Sequence, residues 1–204
     1  MDLQFKESLK NSYNENAKLR NRLSIEPWKL KEIEHFISFV DKGEQTRILD
    51  LGAGTGQHSL HMKEMGLDVT CIDLSSKMIE ICLQKGLKAN EMDFYNLTFE
   101  DNRFDGLWAM NTLLHVPKKE LIEVLKEIRR VMKPGGTFYM GVYGGYNSEG
   151  IWDEDSCSPK RFFSFYDEET MKEKVSQVFE LQEFRTIPLE GMKLNYQALL
   201  LRKV

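Results

Sequence analysis

The sequence lacks several features that define special classes of protein. Its 204 residues include only three cysteines, without any CxxC pair, so neither a disulfide framework nor a zinc-knuckle or thioredoxin-type motif is expected. No apolar run approaches the roughly 20 residues of a membrane span, and the N-terminus is polar where a signal peptide would be apolar. These absences predict a cytoplasmic protein with reduced thiols and no membrane contact.

An excess of basic residues is also missing. Lys and Arg total 28 against 32 Asp and Glu, which gives a formal net charge of −4. Proteins that bind a phosphate backbone carry the opposite balance, so we expect no nucleic-acid partner. Hydrophobic residues make up 41% of the chain, and there is no repeat or low-complexity segment. This composition predicts one globular domain.

The sequence does contain an alternation of strand-like and helix-like segments. Two helices are expected first, at 3–22 and 27–40, and the clearest later helix covers 118–132. The predicted strands read RILDL, DVTCID, LKANEMDF, FDGLWAMN and TFYMGVY, and the runs FELQEFRTI and KLNYQALLLRK form a hairpin across 188–192. This order predicts a doubly wound α/β fold, with a mostly parallel sheet, helices on both faces and an antiparallel strand from the hairpin.

A glycine-rich loop, Asp50-Leu51-Gly52-Ala53-Gly54-Thr55-Gly56, joins the first strand to a helix. Glycines let the chain turn tightly and let a ligand approach the backbone, although a tight turn without a ligand would look the same. The dinucleotide fingerprint G-x-G-x-x-G would place glycine where this chain has Gln57. Asp50 is a poor neighbour for phosphate and a good one for an ammonium group, so the loop favours a ligand other than a dinucleotide.

Two acidic residues follow the next strands. Asp73 closes the second strand, where a carboxylate accepts hydrogen bonds from both ribose hydroxyls, or caps the following turn. Asp93 and Phe94 follow the third strand, where they suit the amino group and ring of adenine, or else form a turn with a core Phe. Together with the glycine loop, these residues predict a nucleoside-binding site.

These motifs resemble those of the class I S-adenosylmethionine-dependent methyltransferases. The matching pieces are ILDLGAGTGQHSL, VTCIDLSSKMIE, EMDF, FDGLWAMNTLLHVP and VMKPGGTFYMGVY, in the family's order between residues 46 and 143. The resemblance implies a seven-stranded sheet of order 3-2-1-4-5-7-6 with the last strand antiparallel. It also implies binding of S-adenosyl-L-methionine and its product S-adenosyl-L-homocysteine.

The resemblance assigns the parts of the cofactor to particular residues. The three loop glycines pack against the methionine part, Asp73 binds the ribose, Asp93 and Phe94 border the adenine, and Met110 and Asn111 line the sulfonium side. The full expected set is Asp50, Gly52, Ala53, Gly54, Gly56, Asp73, Leu74, Met78, Met92, Asp93, Phe94, Met110 and Asn111.

The chain divides into four expected parts within a single methyltransferase domain of residues 1–204. An N-terminal helical cap spans 1–43, the cofactor-binding core 44–143, a substrate loop or lid 144–166, and a C-terminal helix and hairpin 167–204. The expected oligomeric state is a monomer or homodimer.

The motifs of several other methyltransferase types are absent. The segment Asn111-Thr112-Leu113-Leu114 stands where enzymes that methylate exocyclic amines of bases carry [DNS]-P-P-[YFW]. There is neither a Pro-Cys nucleophile nor a carboxylate cluster for a metal after the fourth strand. We therefore expect no metal, and transfer of a methyl group to O, N or S of a small molecule by in-line displacement.

His115 is the candidate catalytic residue, because imidazole can accept the proton that the methyl acceptor loses. A catalytic base with the unperturbed pKa predicts a rate that rises with pH through about 6.5. A histidine that only packs under the following helix is the alternative.

The segment 143–166 holds seven of the 22 aromatic residues of the chain, interleaved with acidic residues. Such a segment, following the fifth strand, is suited to a substrate pocket and to an amine or other cationic acceptor, although simple packing over the sheet edge would look similar. In the N-terminal helices, Arg20, Arg22 and Trp28 are candidates to close the cleft, one Arg pairing with the methionine carboxylate, unless they form a solvated helix face. The candidate substrate residues are Tyr13, Tyr143, Tyr146, Trp152 and Phe162.

Two other functions remain compatible with the sequence. A non-catalytic protein that binds S-adenosylmethionine for sensing or for a partner would keep the same pocket, because methyl transfer requires no invariant acid or base. An NAD-dependent dehydrogenase is disfavoured by Gln57 and Asp50.

Overall fold

The computed structural model describes residues 3–204 except 42, 44, 190, 192 and 193. The start of the predicted cap, two residues near its end and part of the hairpin turn at 188–192 therefore lie outside the described residues. The helices are α1 (Leu3–Asn21), α2 (Pro27–Phe39), α3 (Gln57–Glu64), α4 (Ser76–Gln84), α5 (Leu121–Val131) and α6 (Glu168–Ser176). The strands are β1 (Arg47–Leu51), β2 (Asp68–Asp73), β3 (Lys88–Glu91), β4 (Phe104–Met110), β5 (Met132–Gly144), β6 (Ser148–Ile151), β7 (Phe162–Phe165), β8 (Glu180–Ile187) and β9 (Asn195–Arg202).

Seven of these strands form one sheet of order β3-β2-β1-β4-β5-β9-β8. The pairs from β3 to β5 are parallel, and β9 runs antiparallel to both β5 and β8. The predicted order 3-2-1-4-5-7-6 is thereby confirmed, because the extra strands β6 and β7 only shift the numbering. Parallel strands end at the same edge, so the turns after β1, β2, β3 and β4 meet there.

Helices cover both faces of this sheet. Leu121, Val124, Leu125 and Ile128 recur at helical spacing on α5 and are buried against one face, together with α6. On the other face, Phe36 of α2 and Met62 of α3 are buried with Trp108 and Tyr139. The central strands therefore lie between two apolar layers, as expected for a parallel sheet.

The predicted loop at 144–166 contains regular structure that the sequence reading missed. β5 extends to Gly144, and β6 pairs antiparallel with β7 in a separate two-stranded sheet. Phe163 and Phe165 alternate along β7 and are buried against the main core, which holds this hairpin on the domain.

α1 crosses the edge at which the parallel strands end. Its Asn14 Oδ1 accepts from Ser75 Oγ at 2.6 Å, at the start of α4. Lys6 Nζ forms an ion pair with Asp93 at 2.5 Å, and Lys10 forms one with Glu91. α1 is thus fastened over the ends of β2 and β3. None of the helices in the described part of the chain is long and apolar enough to cross a membrane.

Candidate functional site

A cavity of about 690 Å³ lies between the strand ends, α1 and the segment that leads into β7. The turns after β1 and β2 form one end, and the residues after β4 form the other. Its size falls within the range of small-molecule sites. The cavity therefore occupies the place where sheets of this topology bind ligands.

The glycine loop forms part of the cavity wall, and its three glycines differ in their surroundings. All three have positive φ values of 55° to 74°, which glycine adopts without strain. A Cβ on Gly56 would fall 2.6 Å from Leu87 Cδ1 and 2.8 Å from Cys82 Sγ, whereas one on Gly54 would meet nothing within 4 Å. Gly52 and Gly54 line the cavity, but Gly56 does not. That all three glycines contact the cofactor stays a prediction, and Gly56 also allows close packing against α4 and the turn after it.

Asp50 lies beneath the loop at the end of β1. Its carboxylate is buried and accepts from Ser59 Oγ at 2.6 Å. Burial raises the pKa of Asp50 to about 7, and the nearby Asp73 carboxylate adds to this increase. A positively charged group in the cavity would favour ionised Asp50.

Asp73 forms the adjacent wall. Its Oδ1 accepts from the Ser75 backbone N–H at 2.8 Å, and its Oδ2 accepts from the Gly54 N–H at 2.9 Å. Burial raises the pKa of Asp73, although these two bonds oppose the increase. A carboxylate offers about four acceptor positions, so further hydrogen bonds to a ligand remain available. Leu74 and Met78 line the cavity beside Asp73.

The residues after β3 line the same end. Met92, Asp93 and Phe94 all face the cavity, and Phe94 stacks on Tyr95 with ring centroids 5.5 Å apart. Asp93 Oδ1 also accepts from the Tyr95 N–H at 3.0 Å. Asp93, which the sequence analysis assigned to adenine, therefore already binds the Lys6 ammonium group and the Tyr95 N–H within the chain.

Asn111 follows β4 and has a left-handed backbone conformation, with φ of 58°. Its N–H donates to the Gly141 carbonyl at 2.8 Å, and its side-chain Oδ1 is buried with no hydrogen-bond partner among the described residues. Met110 and Asn111 both line the cavity. A buried acceptor without a partner is costly, so this atom favours a hydrogen-bond donor on a bound ligand.

His115 links three segments of the chain. Its Nε2 lies 2.6 Å from Tyr13 Oη of α1, and its Nδ1 lies 2.7 Å from the Phe162 carbonyl oxygen of β7. A carbonyl only accepts, so Nδ1 carries the hydrogen and Nε2 accepts from the Tyr13 hydroxyl. His115 is therefore neutral, with its basic nitrogen directed at Tyr13.

The surroundings of His115 keep it uncharged. Burial, with the charges of Arg161 and Arg20, lowers the pKa of His115 to about 3, against the hydrogen bond to Phe162 and the charge of Asp155. Burial raises the pKa of Tyr13, and the same two arginines oppose that increase. The predicted rise in rate through pH 6.5 is therefore not expected from His115.

The predicted substrate residues separate into two groups. Tyr13, Tyr143 and Trp152 line the cavity. Tyr146 is exposed and packs on Phe165, outside the cavity wall. The Phe162 ring also lies outside that wall, 4.8 Å from the Phe5 ring, so Phe162 reaches the site through its carbonyl group.

The candidate closing residues of the N-terminal helices separate in the same way. Arg20 lines the cavity, and its guanidinium lies 5.0 Å from the centre of the Tyr13 ring. Arg22 is exposed outside the wall, and Trp28 packs on Tyr196 with ring centroids 4.8 Å apart. Only Arg20 of these three is placed to contact a ligand.

Sequence reasoning missed several residues that line the cavity. They belong to α1, to the helix after the glycine loop and to the segment before β7, and they include Lys6, Leu9, His58, Asp155, Arg161 and Phe163. Asp155 and Arg161 form a buried ion pair, and Arg161 Nη1 donates to Tyr13 Oη at 2.9 Å. No local motif marks such residues, because their roles depend on contacts between distant segments.

Comparison with known proteins agrees with this geometry. Residues 49–140 match the family model described as a methyltransferase domain. The matched segment runs from β1 into β5 and includes the glycine loop, Asp73 and Asn111.

Two relatives illustrate the range of the match. Over 116 residues the chain is 33% identical to the glycine/sarcosine/dimethylglycine N-methyltransferase of Actinopolyspora halophila, which covers 52% of this chain and 20% of the relative. It is 28% identical over 183 residues to phosphoethanolamine N-methyltransferase 2 of Caenorhabditis elegans, which covers 85% and 40%. The chain spans between a fifth and a half of the length of the curated relatives it matches.

A solved structure shows the same fold. It is 1,6-didemethyltoxoflavin-N1-methyltransferase of Burkholderia thailandensis, with bound 1,6-didemethyltoxoflavin and S-adenosylhomocysteine. The TM-score is 0.77 at 19% identity, and the match covers 98% of this chain and 87% of that one.

The residues of the cavity fit S-adenosylmethionine, the cofactor that the resemblance implies. Asn111 offers an unpartnered buried acceptor, and Asp50 and Asp73 offer carboxylates on the same wall. Gly54 leaves open space where any other residue would project a side chain. These features match a ligand with an ammonium group and ribose hydroxyls.

Proposed function

We propose that the protein transfers a methyl group from S-adenosylmethionine to an O, N or S atom of a small molecule that binds in the same cavity. One observation carries this proposal: the carboxylate of Asp73 and the neutral imidazole of His115 line the same cavity. A donor site and a proton acceptor in one cavity are the two requirements for methylation of a protic acceptor.

The chain offers separate groups for each part of the donor. Asp73 would accept from the ribose hydroxyls, and Met92 and Phe94 would border the adenine, with Lys6 and Asp93 beside it. Asn111 Oδ1 and Asp50 would accept from the ammonium group. Arg20 has no carboxylate within ion-pair distance among the described residues, so it is free to bind the methionine carboxylate.

S-adenosylmethionine supplies, when bound, a methyl group already activated by its sulfonium. The chain therefore needs to position the acceptor and exclude water rather than provide a nucleophile. Orientation of two reactants lowers a barrier by about 7–11 kcal/mol. Tyr143, Trp152 and Phe163 form the aromatic wall that would hold the acceptor in line for displacement.

Tyr13 and His115 provide the route for the acceptor's proton. Tyr13 Oη donates to His115 Nε2, which leaves a lone pair on the phenolic oxygen for the acceptor. Because His115 is neutral, its Nε2 lone pair is available to the Tyr13 hydroxyl, and its lowered pKa makes it a weak proton acceptor at physiological pH.

The charges near His115 give little support to a cationic acceptor. Asp155 is fully engaged with Arg161, and Glu154 is exposed at the cavity wall. Of these two acidic residues, Asp155 is therefore not a free carboxylate, and Glu154 lies at the exposed part of the wall. We propose a small-molecule acceptor of neutral or low charge, and no nucleic-acid substrate.

Calorimetry and a labelled-methyl assay test the proposal together. The protein should bind S-adenosylhomocysteine more tightly than NAD, and it should transfer labelled methyl from S-adenosylmethionine to a small molecule in a cell extract, identified by mass. Tighter binding of NAD would overturn the assignment. Binding of S-adenosylhomocysteine without turnover in any extract would favour the non-catalytic alternative. Protein omitted from the same extract provides the control for background methylation.

A further inference from the structure

Asp155 and Arg161 form a buried ion pair that the proposed reaction has not yet used. Their side chains are 1% and 10% exposed. Arg161 Nη2 donates to Asp155 Oδ1 at 2.7 Å and Nε donates to Oδ2 at 3.0 Å, so two hydrogen bonds fix the plane of the guanidinium. The Arg161 backbone N–H also donates to Asp155 Oδ2, at 2.8 Å.

The remaining guanidinium nitrogen reaches across to α1. Arg161 Nη1 donates to Tyr13 Oη at 2.9 Å, and a guanidinium only donates. At the other end of the chain of bonds, the Phe162 carbonyl only accepts, so His115 Nδ1–H donates to it at 2.7 Å. Because burial keeps His115 neutral, its Nε2 is an acceptor, and the Tyr13 hydrogen points at it over 2.6 Å. Each of the three hydrogen bonds, from Arg161 to Tyr13, from Tyr13 to His115 and from His115 to Phe162, therefore has a defined donor and acceptor.

We propose that Arg161, anchored by Asp155, is a positioning residue for the methyl transfer: it holds the Tyr13 hydroxyl so that its hydrogen points to His115 and its free lone pair faces the acceptor. This inference rests on the proposed function. The acceptor's X–H bond breaks as a new Oη–H bond forms, and the former Oη–H bond breaks as Nε2–H forms. The proton count of the cavity stays constant, and the positive charge moves to His115.

If Arg161 served only to stabilise the fold, its hydrogen bond from Nη1 to Tyr13 Oη would not be required. The Asp155–Arg161 pair is complete without Tyr13, and buried pairs are by themselves weak sources of stability. The charged groups that face Tyr13 and His115 are Arg20 of α1, Asp73 of β2, and Asp155 and Arg161 of the segment before β7. Of these, Arg161 is the group hydrogen-bonded to Tyr13. Its charge lowers the pKa of the phenol that burial has raised.

The chain contains only four histidines, so nitrogen NMR of ¹⁵N-histidine-labelled protein tests this inference without the acceptor. The full chain is measured saturated with S-adenosylhomocysteine. In the parent, His115 should be neutral, with the hydrogen on Nδ1 and a hydrogen-bonded Nε2. Tyr13→Phe removes the hydrogen bond to His115 Nε2. The change in the Nε2 chemical shift in this variant is therefore the full displacement with which the other variants are compared. Arg161→Gln should reproduce most of this displacement, and Arg161→Lys should recover part of the parent position.

Two variants separate positioning from damage to the fold. Arg161→Gln leaves Asp155 as a buried charge without its partner, which costs stability. The double variant Asp155→Asn/Arg161→Gln removes both charges and should show the same displacement of the Nε2 signal. Lys160→Gln is the matched control, because Lys160 is exposed and its Nζ donates only to the Asp153 carbonyl. It should leave the signal unchanged.

The outcomes are distinct from those of the proposed function. Affinity for S-adenosylhomocysteine, measured by calorimetry, should match the parent in Lys160→Gln, and calorimetry of the other variants confirms that each is saturated when its spectrum is recorded. A parent-like Nε2 signal in both Arg161→Gln and the double variant would overturn the positioning role, as would a Tyr13→Phe variant whose signal does not move. If the parent fails to bind S-adenosylhomocysteine, the proposed function fails, while the same spectra of the unliganded protein still test the chain of hydrogen bonds.

Discussion

Thr112 packs directly against Gly52, so the turn after β4 closes on the turn after β1. A Cβ on Gly52 would fall 2.5 Å from Thr112 Cγ2. Thr112 Oγ1 also donates to the Leu51 carbonyl at 2.8 Å. The glycine loop after β1 and the turn after β4, which both line the cavity, are therefore in direct contact, and only glycine at position 52 permits this contact.

Gly52→Ala should disrupt this contact. Overpacking costs about 1–3 kcal/mol, and the left-handed backbone adds about 1–2 kcal/mol for a residue with a Cβ. Urea denaturation should show this loss, and affinity for S-adenosylhomocysteine should fall with it. Gly43→Ala is the control, because a Cβ there would meet nothing within 4 Å. Equal stability of the two variants would contradict the packing described.

Asp73→Ala should weaken the binding of S-adenosylhomocysteine. Each hydrogen bond to a charged acceptor is worth about 1.5–3 kcal/mol, and the ribose offers two hydroxyls. Asp73 also holds the Gly54 and Ser75 N–H groups, so unfolding must be measured alongside calorimetry. Asp41→Ala, at a side chain that is 87% exposed, provides the control. Unchanged affinity in a folded Asp73→Ala protein would remove Asp73 from the ribose site.

His115→Ala should lower turnover by about 10²- to 10⁴-fold while leaving the affinity for S-adenosylhomocysteine near that of the parent. The parent rate should show no titration near pH 6.5 from His115, because its pKa lies at about 3. The test is the pH–rate profile of parent and variant at saturating cofactor. Full activity in His115→Ala would exclude His115 from the proton route.

Stability in acid should depend on His115, which is buried, and on His58, which is half-buried. Burial lowers the pKa of His115 to about 3 and that of His58 to about 4, whereas the unfolded chain binds these protons near 6.5. Their contribution is complete above pH 6.5 and is lost as the pH falls toward these values. Asp50 acts in the opposite direction, since its pKa is raised. The urea midpoint of His58→Gln should therefore fall less than that of the parent between pH 7 and pH 5; a parallel fall would argue against a depressed pKa.

Hydrogen exchange should slow in α1 and in residues 148–165 when S-adenosylhomocysteine binds. Both segments line the cavity and contact each other through Phe5 and Phe162 and through Tyr13 and Arg161. A ligand between them should hold both in place. Equal exchange with and without the ligand would show that these segments pack independently of the site.

The alternation of strands and helices and the position of Asp73 followed from local patterns in the sequence, whereas the strand order followed from the resemblance to a known family. β1, the glycine loop and α3 occupy one short segment, and Asp73 ends the next apolar strand. Gly56 shows the limit of such reasoning. Its place in the motif is local, but its neighbours Leu87 and Cys82 lie beyond the next strand, so the motif alone did not reveal that it packs away from the cavity.

The groups around His115 had no comparable signal. Tyr13 and His115 are 102 residues apart, Lys6 and Asp93 are 87 apart, and Tyr13 and Arg161 are 148 apart. Periodicity and spacing report on contacts within a few turns or one strand–helix unit. Contacts made by α1 across the sheet edge depend on how the whole chain closes, and they appear only in three dimensions.

One rigid helix carries both Lys6, beside the proposed adenine end, and Tyr13, beside His115. Seven residues separate them, which corresponds to about 10 Å along the helix axis. Any movement of α1 that frees the donor must also withdraw the Tyr13 hydroxyl from His115. Under the proposed function, release of S-adenosylhomocysteine would break the hydrogen bond between Tyr13 and His115 in every cycle. Methyl transfer would then take place only while S-adenosylmethionine is enclosed in the cavity.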